Sequence, residues 1–113
     1  MGKAMREPTF WILTALVRQP RHGYGVIQAV AALSQGQVKL QAGTLYAALD
    51  RLVAEGLVEV DHDERVDGRD RRYYRLSRSG IVALGAETER LQVNAQTAAP
   101  QLAERPRLGP ATA

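Results

Sequence analysis

The apolar period of this sequence changes at Gly56. Ahead of it, Leu45, Leu49, Leu52 and Val53 recur at the three- and four-residue spacing of one helix face. Behind it, Leu57, Val58 and Val60 open a strand that also carries Glu59 and Asp61. Gly56 occupies the position at which glycine commonly ends a helix. A second strand follows, in which Tyr74 and Leu76 alternate with Tyr73 and Arg75, and the charged stretch from His62 to Arg71 lies between. Two strands around a charged loop with Gly68 near its middle make a hairpin. The chain therefore joins helices to a small hairpin.

The flanking segments complete the pattern. Met1 to Glu7 reads as a flexible arm. Pro8 fits a first helical turn, where its missing N–H costs nothing. Helix one then covers about Thr9 to Val17, with Phe10, Leu13, Leu16 and Val17 in one stripe and Trp11 and Ile12 beside it. Helix two covers about Gly23 to Ser34, with Val26, Ile27, Val30 and Leu33 on its buried face. Val38 and Leu40 alternate around Lys39 and suggest a short strand. Helix three covers about Gln41 to Glu55. Ser77 is a good N-cap for helix four, from Arg78 to about Ala95, on which Ile81, Leu84, Thr88 and Leu91 share a stripe.

The expected fold is mainly α with a small β-hairpin (α+β), a winged helix-turn-helix followed by a dimerisation helix. Its parts are a flexible arm at 1–7, the winged domain at 8–76, the dimerisation helix at 77–97, and a disordered, alanine- and proline-rich tail at 98–113.

Composition narrows the function. A chain of 113 residues supports one domain. With no cysteine it has no disulfide, thiolate nucleophile or cysteine zinc site, and its two histidines, His22 and His62, lie far apart in sequence. No metal or cofactor is expected. The longest mainly apolar stretch, Thr9 to Val17, is about half the ~20 residues of a membrane span. No signal-peptide pattern opens the chain, so a soluble cytoplasmic protein is expected. An enzyme is not expected. Ser34, Ser77 and Ser79 lack a histidine–carboxylate constellation nearby in sequence, and Gly23-Tyr24-Gly25 lacks the rest of a dinucleotide fingerprint. The net charge is +3, but Arg65, Arg69, Arg71, Arg72, Arg75 and Arg78 crowd one short stretch. Arginine suits planar, bidentate contact with phosphate or guanine.

Several motifs resemble those of one family. His22-Gly23-Tyr24 is similar to the start of helix two in PadR regulators. Ala42-Gly43-Thr44-Leu45-Tyr46-Ala47-Ala48-Leu49 resembles their recognition-helix signature, although Ala42 and Ala47 stand where that family often has proline. Glu55-Gly56-Leu57-Val58 and Arg71-Arg72-Tyr73-Tyr74-Arg75-Leu76-Ser77 resemble their helix-to-strand junction and wing exit. The single C-terminal helix is similar to the short subgroup. The resemblance implies a ligand-responsive repressor, acting as a dimer held through its last helix, with an effector of unknown identity. A two-fold dimer implies a pseudo-palindromic operator in duplex DNA.

On this reading Gln41, Thr44, Tyr46, Ala47, Ala48 and Arg51 of helix three face the major groove. Gln pairs with adenine, Arg with guanine, and Thr and Ala methyls meet thymine methyls. Tyr24, Arg65, Arg69, Arg71 and Arg72 reach phosphates or the minor groove. Ile81, Leu84, Thr88 and Leu91 form the dimer interface, and Trp11 lines a ligand pocket or packs in the core. The competing reading is a winged-helix module for protein interaction or for sensing an anionic small molecule. Its helix-three face would be plainly solvated, and acids interleaved in the wing would neutralise its arginines.

Overall fold

The leucines of the third helix meet two other helices in an aliphatic core. The computed structural model describes residues 4–107. In chain order it contains α1 (Glu7–Ala15), β1 (Arg21–His22), α2 (Gly23–Leu33), α3 (Ala42–Ala54), β2 (Val58–Val66), β3 (Arg69–Leu76) and α4 (Arg78–Ala103). The strands form one antiparallel sheet in the order β1-β3-β2. This is the expected α+β winged helix. Ile12, Leu13, Val26, Val30, Leu45, Leu49 and Leu52 are fully buried, and Val58, Tyr74, Leu76 and Leu84 close the core from the sheet and α4.

The strand expected at Val38 and Leu40 does not form. Both side chains pack against the core from an irregular segment. The Val38 N–H donates to Ser34 Oγ at 3.0 Å, so the buried Ser34 hydroxyl takes the place of a strand partner. The third strand is instead β1, which pairs His22 with Tyr73 and Arg21 with Tyr74.

The stretch expected to be a loop from His62 to Arg71 is mostly sheet. Its turn is only Asp67-Gly68, with φ of 50° and 76°. Two consecutive positive φ values make the tight hairpin turn whose twist suits paired strands. One bulge interrupts the register between Val60 and His62.

Helix α4 runs past the expected Ala95 to Ala103 and includes Pro100. The alanines at 95, 98, 99 and 103 have high helix propensity and carry it through a segment expected to be disordered. The rest of the expected tail, 108–113, lies outside the described residues. The expected arm is held at Met5, whose N–H donates to Glu87 Oε1 at 3.3 Å. Residues 1–3 lie outside the described range.

Ser77 locks α4 to the base of the wing. Its hydroxyl accepts from the Gly80 N–H at 3.0 Å and donates to the Gly56 carbonyl at 2.6 Å. Its own N–H donates to the Leu57 carbonyl at 3.1 Å. Gly80 lies so close that a Cβ there would stand 2.1 Å from the Leu57 oxygen.

Candidate nucleic-acid interface

Helix α3 turns its leucines inward and small residues outward. Gln41 is its N-cap, and Gln41, Ala42, Gly43, Thr44 and Ala47 are exposed. At 100° per residue, Gly43, Ala47 and Asp50 lie opposite the leucines. A Cβ built on Gly43 meets nothing within 4 Å, so the backbone itself is open to approach. Two expected outward residues are placed differently. Ala48 is half-buried against the core. Arg51 turns toward α1, where its Nη2 donates to Thr9 Oγ1 at 3.0 Å and its Nη1 to Glu55 Oε1 at 3.2 Å.

Beside α3 a cleft of about 500 Å³ separates the start of α2 from the wing. His22 and Tyr24 line one side, Tyr46 belongs to α3, and Arg69 to Arg72 line the other. The cleft brings together five of the expected contact residues: Tyr24, Tyr46, Arg69, Arg71 and Arg72. Arg65 is not among its lining residues. Tyr46 fixes one end. A Cβ on Gly23 would stand 2.3 Å from its hydroxyl, so the glycine in His22-Gly23-Tyr24 makes room for the tyrosine of α3.

The wing arginines divide into two sets. Arg65 pairs with Asp70 at 3.3 Å, Arg72 with Asp63 at 3.1 Å, and Arg75 with Glu59 at 3.2 Å and Asp61 at 2.9 Å. Three of these pairs, Arg65–Asp70, Arg72–Asp63 and Arg75–Glu59, are cross-strand neighbours in the register. Among the described residues Arg69 and Arg71 have no carboxylate partner. Arg71 Nη1 lies 3.2 Å from His22 Nε2, and Tyr24 is 62% exposed beside them.

Sequence reasoning gave His22 no role beyond starting a helix, because its contact with Arg71 depends on the pairing of β1 with β3. Its imidazole accepts from the Gly25 N–H at 3.2 Å and meets Tyr73 edge-on at 5.2 Å. Burial and then the Arg71 guanidinium hold its pKa below the ordinary range, with Glu64 opposing them. His62 stacks on Tyr73 at 4.5 Å and is exposed. Hydrogen bonding to Asp61, helped by Glu64, raises its pKa despite some desolvation.

On α4, Leu84 is only 9% exposed and belongs to the chain's own core. This corrects its expected place on a partner-facing stripe. Ile81, Thr88 and Leu91 remain exposed, and Val82 and Val93 are exposed with them. Trp11 packs half-buried against the core, and its indole N–H donates to Glu7 Oε2 at 3.4 Å. Among the described residues no helix is long and apolar enough to cross a membrane.

Comparison with known proteins agrees with this architecture. Residues 12–86 match the model of the transcriptional regulator PadR-like family. The chain is 42% identical over 60 residues to the transcriptional regulator Rv3488 of Mycobacterium tuberculosis, covering 53% of this chain and 55% of that protein. It is 29% identical over 69 residues to an uncharacterised protein of Lysinibacillus sphaericus, covering 61% of this chain and 63% of the other. The chain thus spans less than two thirds of each of these relatives. A PadR family regulator from Clostridium difficile superimposes with a TM-score of 0.70 at 21% identity, over 83% of this chain and 96% of that one. Bacillus subtilis PadR in complex with operator DNA superimposes with a TM-score of 0.65 at 18% identity, over 98% of this chain and 54% of that one. The family match covers most of the chain and includes α2, α3 and the wing: this chain belongs to the PadR-like family of transcriptional regulators.

Proposed function

We propose that this regulator binds duplex DNA sequence-specifically, as a homodimer on a pseudo-palindromic operator, and that it is a repressor released by a small-molecule effector. The observation that carries the DNA reading is the small-residue face of α3 beside a cleft whose Arg69 and Arg71 lack carboxylate partners. A helix with such a face can bring its backbone and short side chains to base edges. Arginines left out of ion pairs have donors to give to phosphates. The Bacillus subtilis relative, captured on operator DNA, supports this reading.

Gln41, Thr44 and Ala47 are the proposed base readers, and Tyr24, Tyr46, Arg69 and Arg71 hold the backbone. Arg51 reaches a base only by leaving Thr9 and Glu55, and Arg65 and Arg72 must likewise exchange a carboxylate for a phosphate. Homodimerisation rests on the exposed apolar residues of α4. An effector would fit the groove of about 590 Å³ that includes Val17, Ile81, Leu84 and Gln92, where it would bear on the seating of α4.

The test is a set of binding isotherms on operator and random duplex. Arg71→Ala weakens both about equally and lowers the salt slope by roughly one. Gln41→Ala and Thr44→Ala narrow the gap between the two duplexes. Unchanged discrimination in both of those variants would remove α3 as the reading element.

A further inference from the structure

The His22 ring is asked for more than it can give. A neutral imidazole has one nitrogen with a lone pair and one that bears a proton. The Gly25 N–H already takes the lone pair of Nδ1, at 3.2 Å, as the N-cap of α2. The proton therefore sits on Nε2. Arg71 Nη1, which can only donate, stands 3.2 Å from that same Nε2. Two N–H donors thus face each other across an open cleft, with no acceptor between them. The reverse tautomer only moves the conflict to Gly25, which would lose its cap.

Nearby carboxylates do not resolve the clash. Glu64 stands opposite Arg71 in the strand register, yet it contacts His62 at 3.3 Å and makes no ion pair with Arg71. Protonation of His22 would add a charge beside Arg71, and burial together with that guanidinium favours the neutral ring, with Glu64 opposing them. An acceptor anion seated in the cleft, which Tyr24 and Tyr46 also line, would satisfy both donors.

We propose that His22 and Arg71 form a preset phosphate clamp, in which His22 Nε2–H and the Arg71 guanidinium donate together to one backbone phosphate of bound DNA. The inference rests on the DNA reading above and adds His22 to it as a ligand. The N-cap bond does more than start α2. It fixes the tautomer that leaves the outward nitrogen a donor.

Nitrogen-15 NMR of the ring reads the tautomer directly, and the free protein should carry the proton on Nε2. A proton on Nδ1 would overturn the clamp, since Arg71 would then have a lone pair to bond. His22→Asn keeps a good N-cap, but its amide N–H group falls where the ring's Cδ2 stood, so no donor remains at the Nε2 position. It should leave the melting temperature nearly unchanged and weaken both operator and random duplex by about tenfold, as loss of one hydrogen bond to a charged group does. Arg71→Ala should do at least as much, and the double variant should lose less than the product of the two, because they share one phosphate. If His22→Asn binds like the wild type while Arg71→Ala does not, the clamp fails and the DNA reading stands. If the wild-type protein binds neither duplex, the DNA reading fails and takes the clamp with it. Titration with inorganic phosphate separates the two sources of the anion. A His22 response to phosphate alone, with none to duplex, would overturn the backbone assignment in favour of a free-anion site.

Discussion

His22 and His62 pack on the same tyrosine, yet their surroundings move their charges in opposite directions. Burial and Arg71 lower His22 from the ordinary 6.5, and Asp61 and Glu64 raise His62 from it. On acidification His62 should therefore protonate first, and an NMR titration giving the reverse order would contradict the arrangement around Tyr73. The signs for stability differ too. His62, raised in the fold, contributes stability that is present below 6.5 and is lost as pH rises through its folded pKa. His22, lowered in the fold, contributes stability that is lost as pH falls below 6.5 toward its folded pKa. At the other end of the wing, Gly80 leaves no room for a methyl group against the Leu57 carbonyl. Gly80→Ala should cost about 1–3 kcal/mol through overpacking, read as a shifted urea midpoint. An unshifted midpoint would mean that α4 is not docked through Ser77 and Gly80.

At the scale of elements, the wing depends on a turn of two residues. Gly68 and Asp67 both hold positive φ, a conformation that costs a residue with a Cβ about 1–2 kcal/mol. Gly68→Val should lower stability by about that amount and weaken DNA binding without changing preference between duplexes. Equal stability would show that the hairpin closes by another turn. The helices were legible in the sequence because each carries apolar residues at helical spacing, as Leu45, Leu49 and Leu52 do in α3. The wing was read only at its base. Beyond Val60 the strand has few apolar residues to alternate and is held by cross-strand charge pairs such as Asp63–Arg72, so periodicity was silent there. Strand β1 left no signal, since two polar residues pair only because β3 lies beside them. The candidate site was half legible. The wing arginines stood out as a cluster, but which of them lack carboxylates follows from register. Arg51 looked outward by its spacing until Thr9 of α1 came within its reach.

At the scale of the whole molecule, the described residues form an elongated shape, 65 × 32 × 21 Å, because α4 is long and only its first half rests on the body. From Leu91 to the end of the helix every residue is exposed, including Leu91, Val93 and Leu102. A helix of this length with apolar residues bared is suited to burial against a second copy. Leu91→Glu combined with Val93→Glu should shift sedimentation toward the monomer and reduce affinity for a two-half-site operator far more than for a single half-site. A wild-type protein that sediments as a monomer at micromolar concentration would contradict the dimer.

Whether α3 and the cleft read duplex DNA is decided by titrating the wild-type protein against DNA from upstream of its own gene. Random duplex serves as control, at two salt concentrations. Tighter binding to the upstream DNA is expected, with a steep loss of affinity for both duplexes as salt rises. Equal, salt-insensitive binding, or none, would contradict it and assign the winged helix to a protein or small-molecule partner.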